Sequence, residues 1–226
     1  MNDSVKKFVE ELNRKGGTYH CLDVGDGLII QGDYDMAKYI DYYCLPSDLK
    51  GAAVLDIGTS SGYFALECAR RGAKVTGIDI WEWTPLITLA ELLKLDISYV
   101  RKSAYDLTEG FGTFDLVICG SMLLHLPDPF GVVQKIRSVC KRRAVVSTAC
   151  PSDSKKNARP VCEFVGQKAT DGEYLAYWSI GEEALRRMFL AAGFSRTENI
   201  HHFTLMSELG RTPFATPHVV MTAILD

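Results

Sequence analysis

The chain has 226 residues, 25 Lys+Arg against 28 Asp+Glu for a formal net charge of -3, and 47% hydrophobic residues. Those values describe one ordinary globular domain with at most a small appendage, and they exclude a disulfide scaffold, a collagen-like chain and a disordered tail protein. No apolar run reaches the ~20 residues of a membrane helix and the N-terminus is polar and amphipathic, so a cytoplasmic protein without membrane contact is expected.

The charge also bears on partners. Proteins that bind through many phosphate contacts usually carry a basic excess, and nothing in the composition demands a nucleic acid. The seven cysteines form no CxxC pair, and His201-His202 has no further ligands nearby in sequence. Free thiols in a reducing compartment and no metal site are therefore expected.

Residues 1–50 read as an N-terminal cap: a helix, a hairpin (Tyr19 to Val24 and Leu28 to Gly32 around Gly25-Asp26-Gly27) and a helix ending near Cys44. From Gly51 to Cys150, short β-branched runs alternate with helical patterns. Strands are expected at Ala53 to Ile57, Lys74 to Ile80, Ile97 to Val100, Phe114 to Cys119 and Ala144 to Thr148. Helices are expected at Tyr63 to Arg71, Pro85 to Leu95 and Phe130 to Cys140, with Lys141-Arg142-Arg143 as a solvated helix end. Residues 151–178 are polar apart from Tyr174, Tyr177 and Trp178, and read as a lid insertion carrying the basic run Lys155 to Arg159. A helix from Gly181 to Ala192 and strands at Ser195 to Leu205 and His218 to Leu225 complete the chain. The fold class expected is α/β, a doubly wound, mostly parallel seven-stranded sheet over 51–226.

The chemistry concentrates at strand ends. Val54-Leu55-Asp56-Ile57-Gly58-Thr59-Ser60-Ser61-Gly62-Tyr63-Phe64 is a strand ending in an acid, followed by a glycine loop that opens a helix. In a doubly wound sheet that loop lies where ligands bind. The next strand ends in Gly77-Ile78-Asp79-Ile80, and an acid at that tip can accept hydrogen bonds from two ribose hydroxyls. The glycine spacing is G-x-x-x-G rather than G-x-G-x-x-G, which speaks against NAD, and no Gly-Lys-Ser/Thr follows for a phosphate loop. Cys119-Gly120-Ser121-Met122-Leu123-Leu124-His125 puts Ser121 and His125 at the same sheet edge. His125 could serve as a general base or only line a pocket.

Taken together, VLDIGTSSGYF, GIDI, FDLVICGSMLLHLPDP and the two final strands resemble the class I S-adenosylmethionine-dependent methyltransferases, with their Rossmann-like fold. YHCLDVGDGLIIQGDYD followed by LPSDLKGAAVLDIGTSSGYFALECARRGA resembles, more finely, the branch of the tRNA wobble-uridine (5-oxyacetic acid pathway) enzyme. The resemblance implies S-adenosyl-L-methionine as cofactor. Asp56, Gly58, Thr59, Ser60, Gly62, Tyr63 and Phe64 would form the loop around its methionine end. Asp79 would hold the ribose, with Ile80 and Trp81 at the adenine. Ser103, Ala104 and Tyr105 stand where the family often has an Asp for the adenine amino group, and Ser60 stands where Gly is usual. Gly120 and Ser121 would line the pocket. Tyr19 and His20 could close over the site, making His20 a second catalytic candidate beside His125, or could simply pack the hairpin. The aromatic lid residues could form an acceptor wall or an ordinary core.

The wobble-uridine enzyme uses a carboxylated donor, whose carboxylate needs a cation, yet Tyr19 to Ala37 contains no Lys or Arg. Plain methyl transfer is expected. The charge balance favours a small-molecule O or N acceptor over tRNA; a non-catalytic cofactor-binding regulator is the remaining alternative. The oligomeric state leaves no mark in the sequence.

Overall fold

A computed structural model describes residues 3–82, 84–156, 158–169, 171–207 and 215–226, so Asn157 and the side chains of Lys156 and Tyr174 lie outside the described residues. Helix α1 (Asp3–Arg14) buries Val5 and Val9. Four short strands follow: β1 (Thr18–His20), β2 (Leu22–Gly25), β3 (Leu28–Ile30) and β4 (Gly32–Tyr34). The expected hairpin forms only at its tip, where β2 and β3 pair antiparallel with Leu22 opposite Ile30. Its flanks pair in parallel instead, His20 of β1 lying opposite Tyr34 of β4. The expected second helix is replaced by two 3-10 turns, Met36–Lys38 and Ile40–Tyr43. Packing explains the difference. Tyr39, Tyr42 and Tyr43 gather around the Phe203 ring, and aromatic residues have too little intrinsic helix preference to resist that arrangement.

The remaining elements alternate as the sequence predicts: β5 (Ala53–Ile57), α2 (Tyr63–Arg70), β6 (Lys74–Asp79), α3 (Thr84–Leu93), β7 (Ile97–Arg101), β8 (Phe114–Gly120), α4 (Pro129–Val139) and β9 (Cys140–Ala149). Lys141, Arg142 and Arg143 therefore belong to a strand and not to a helix end, because Cys140 already pairs with Phe114. After β9 come β10 (Cys162–Lys168), β11 (Tyr174–Ile180), α5 (Glu182–Ala192), β12 (Arg196–Met206) and β13 (Ala215–Ile224).

Seven strands form the main sheet in the order β12-β13-β9-β8-β5-β6-β7. Five pair in parallel, and β13 enters antiparallel between β9 and β12, so six of the seven run in one direction. The strand order reverses beside β5, which sits between β8 and β6, and that reversal opens a crevice at the carboxyl ends of these strands. Strand alternation divides the core between two faces. Val54, Leu116 and Val145 pack with α2, α3 and the N-terminal cap, while Leu55, Val117 and Val146 pack with α4 and α5.

The insertion expected as a loop is an antiparallel hairpin of β10 and β11, with Phe164 opposite Trp178. Its second strand runs on to the buried Ile180, which anchors it in the α5 core.

Candidate active site

A cavity of about 370 Å³ opens at the strand-order reversal. Its walls come from the loop after β5 (Gly58, Ser60), the tip of β6 (Asp79, Ile80, Trp81), the turn after β7 (Lys102, Ser103, Ala104), the turn after β8 (Gly120, Ser121, Met122, His125), the cap (Tyr19, His20) and Leu175 of β11.

Each wall is held by the backbone. Gly58 adopts φ +72, a conformation that favours glycine, and a Cβ there would stand 2.6 Å from the Met122 sulfur, so glycine lets the loop cross below Met122 without displacing it. Ser60 also adopts a left-handed φ of +48. That is the physical reason glycine suits this position, and a serine costs ~1 kcal/mol there. The Ser60 N–H donates to Asp79 Oδ2 (3.0 Å) and the Trp81 N–H to Oδ1 (3.2 Å). Each carboxylate oxygen thus keeps lone pairs for a further donor. Arg101 Nε donates to the Ile80 carbonyl at 2.9 Å and the Tyr99 hydroxyl to the Trp81 carbonyl. These bonds pin a segment whose side chains stay exposed, Trp81 at 65%.

Several expected residues lie elsewhere. Asp56, Thr59, Gly62, Tyr63, Phe64 and Tyr105 do not line the cavity. Asp56 shares a sheet face with Val54, beneath α2, and is 1% exposed. Its Oδ2 accepts from Thr59 Oγ1 at 2.7 Å and its carboxylate from the Ala65 N–H, so it ties the first turn of α2. Burial outweighs these bonds and pushes its pKa up to about 7. Gly62, at φ +92, starts α2 against Leu86, and Tyr63 and Phe64 are core residues. The Tyr105 hydroxyl accepts from the Asp128 N–H (3.0 Å), and Ser103 Oγ accepts the Tyr105 N–H. Asp106 ends the 3-10 turn Ala104–Asp106 that Ser103 caps.

The histidines differ in their hydrogen-bond partners. His125 Nδ1 meets the Leu175 carbonyl. A carbonyl only accepts, so the proton sits on Nδ1 and Nε2 carries the lone pair. Burial lowers the ring's pKa, leaving it neutral near pH 7. His20 also borders the cavity, but its Nδ1 (3.1 Å) and backbone N–H (2.9 Å) both meet Ser61 Oγ, and burial drops its pKa to about 3. A ring so hard to protonate is a poor proton sink. The expectation of a catalytic His20 gives way to a clasp joining the cap to the loop after β5. Burial raises the Tyr19 hydroxyl well above its ordinary range, so it faces the site as a neutral phenol.

Of the aromatic lid residues, Tyr177 and Trp178 do not line the cavity. Trp178 Nε1 donates to the Pro127 carbonyl at 3.2 Å while its ring meets Phe164 edge-on. Leu175 and Lys102 were missed by sequence reasoning, Leu175 because only the β10–β11 pairing turns it inward. Lys102 was legible as the residue after a strand end.

The sheet order and crevice define the Rossmann-like architecture of class I S-adenosylmethionine-dependent methyltransferases. Solved structures share it. The N-terminal domain of EvdMO1 with SAH bound superposes with a TM-score of 0.71 at 16% identity, covering 100% of this chain and 98% of that one. The magnesium protoporphyrin IX methyltransferase of Synechocystis PCC 6803 gives 0.57 at 21% identity over 78% of its length and 84% of this chain. The 1,6-didemethyltoxoflavin-N1-methyltransferase of Burkholderia thailandensis gives 0.58 at 19%, over 72% of its length and 78% of this chain. Among curated proteins, the ubiquinone biosynthesis O-methyltransferase of Xanthomonas oryzae pv. oryzae is 37% identical over 107 residues, 45% of this chain and 44% of that protein. The match thus spans less than half the length of such relatives. A family model described as a methyltransferase domain matches residues 29–206. The chain belongs to that methyltransferase family, and S-adenosyl-L-methionine is the cofactor of its class.

Proposed function

We propose that the protein transfers a methyl group from S-adenosyl-L-methionine to an oxygen or nitrogen of a small molecule. The observation that carries this reading is Asp79: a carboxylate fixed by two backbone N–H groups at the mouth of the crevice, with unused lone pairs and flanked by exposed Ile80 and Trp81. That donor and acceptor set suits a nucleoside, with ribose hydroxyls on the carboxylate and a flat base against apolar side chains.

When bound, the cofactor supplies a methyl group activated on a sulfonium. The chain's task is to align, exclude water and manage a proton. Asp79 orients the ribose. Ile57, Ile78, Met122 and Leu126 give the cavity an apolar lining. His125, protonated at Nδ1 and open at Nε2, takes the proton of a hydroxyl acceptor. Lys102 is the sole Lys or Arg among the described lining residues; its ammonium lies over the Phe111 ring at 5.3 Å, and its neighbours on the wall are Ser103 and Ala104. A lysine placed beside the expected adenine position and turned onto Phe111, not toward the methyl end, supports a plain methyl donor over a carboxylated one. The likeness of residues 19–35 and 45–73 to the wobble-uridine branch remains the argument for a tRNA acceptor, and the relatives named for small molecules weigh against it.

Calorimetry with S-adenosylhomocysteine tests the reading. Micromolar binding is expected, with affinity for the carboxylated donor weaker than for S-adenosyl-L-methionine. Absence of S-adenosylhomocysteine binding would overturn the assignment, and salt-dependent tRNA binding would move the acceptor to RNA.

A further inference from the structure

His218 takes no part in the chemistry above, yet it is bonded to Ser121 of the cavity wall and is only 1% exposed. It sits near the start of β13, paired with Ala149 of β9, and the Phe203 ring stacks on it at 5.4 Å. Its Nδ1 lies 2.9 Å from the Thr216 carbonyl, which fixes the proton on Nδ1. Burial holds the pKa near 4, so the ring is neutral and Nε2 is an acceptor. Ser121 Oγ stands 2.6 Å from that Nε2. The serine must therefore donate its single hydroxyl proton to His218.

Ser121 is itself over-determined. It adopts φ +59, unusual for a residue other than glycine, directly after β8. Its N–H is held by both the Ser147 carbonyl (3.0 Å) and Ser147 Oγ (2.9 Å), and Ser147 Oγ is in turn bonded to the buried Tyr43 hydroxyl at 2.8 Å. A strained residue whose N–H and hydroxyl are held by three polar groups, on the wall of a cavity, is the kind of position where structure is spent on function.

We propose that Ser121 reads the acceptor. With its proton turned onto His218, Oγ shows the cavity only lone pairs and takes a hydrogen bond from an O–H or N–H of the molecule to be methylated. His218 is its positioning residue. This rests on the methyltransferase reading and moves Ser121 from a cofactor-lining role to an acceptor-binding one. The substrate class follows: acceptors that present a donor at this wall, not tertiary amines or fully alkylated ethers.

Phenol and fluorobenzene, similar rings with and without a donor, can be titrated by NMR into protein saturated with S-adenosylhomocysteine. The phenol-to-fluorobenzene affinity ratio should fall about tenfold in Ser121→Ala, the worth of one hydrogen bond. It should fall equally in His218→Phe. In His218→Gln, whose side-chain carbonyl can accept the serine proton, it should stay within about threefold of the unsubstituted protein. Nitrogen-15 shifts of His218 should show the Nδ1–H tautomer. An unchanged ratio in Ser121→Ala, no saturable binding of either ring, or a loss of S-adenosylhomocysteine affinity in place of the ratio change would overturn the proposal. If S-adenosylhomocysteine fails to bind the unsubstituted protein, the methyltransferase reading falls and this one falls with it.

Discussion

Two serine–histidine pairs stand at the cavity, one at the cap and one at the sheet, and they use the same groups differently. On the cap side, Ser61 is 1% exposed, and its Oγ meets both the backbone N–H and Nδ1 of His20. Nothing of it reaches the cavity. On the sheet side, Ser121 meets only Nε2 of its histidine, whose Nδ1 is occupied by a carbonyl, and its remaining lone pairs border the cavity. The first pair closes upon itself and holds two parts of the chain together. The second leaves one face open. What separates a clasp from a binding group here is the accounting of hydrogen-bond capacity, not residue type or burial.

The comparison can be broken at several points. Asp79→Ala should have the largest effect, because it removes the ribose acceptor and also the group that holds the Ser60 N–H beside the Ser61 clasp. Losing two charge-assisted hydrogen bonds should weaken S-adenosylhomocysteine at least roughly 100-fold by calorimetry. Retained affinity would refute the site.

Ser61→Ala should cost about 3 kcal/mol, since it strands two buried groups of His20 and unties β1 from the loop after β5. In a chain of this size that is a Tm drop of roughly 6–12 °C. Ser121→Ala should cost only about 1 kcal/mol, leaving one imidazole nitrogen without its donor, and its effect should appear in ligand selectivity instead. Equal thermal shifts for the two variants would erase the distinction between clasp and binding group.

Acid should act on both pairs. His20 and His218 are lowered from 6.5 to about 3 and about 4. Below about pH 6.5 the unfolded chain binds protons at both rings that the folded chain refuses, so their contribution is full above pH 6.5 and is lost as the pH falls towards 4. Asp56, raised to about 7 in the fold, runs the other way, keeping a proton that the unfolded chain releases above about 4. Two rings outweigh one carboxyl. Urea midpoints should therefore fall between pH 6.5 and 4.5, and His218→Gln should flatten that slope.

Trp81→Ala should have the smallest effect on the fold. With 65% of the residue exposed, its removal should change stability by less than about 0.5 kcal/mol. Because it flanks the expected adenine position, it should still cost about tenfold in S-adenosylhomocysteine affinity. A large loss of stability would show that Trp81 packs the mouth of the cavity and does not wait for a ligand.

The sheet was legible because its evidence is local. Runs such as Val54 to Ile57 and Leu116 to Cys119, bounded by glycine turns and separated by helical periods, name parallel strands without any knowledge of their partners. Asp79 was legible for the same reason: a strand end in this topology is already a place. Asp56 shows where that logic stops. It ends a strand just as Asp79 does, but alternation turns it under α2, and only the completed sheet shows which face α2 covers.

The amino-acid sequence alone determined the α/β class, the strand ends, the glycine loop and the acid at the mouth of the crevice, all of which follow from short-range pattern. Tertiary structure alone decided the remainder. Strand β13 inserts beside β9 and carries His218 to Ser121, 97 residues away in sequence, and the cap brings His20 to Ser61 across 41. Such pairings depend on strand order and on which face each residue meets, and hydrophobic period carries neither. In this protein the wall around Asp79 is written in short local patterns, and the wall around Ser121 is assembled by the fold.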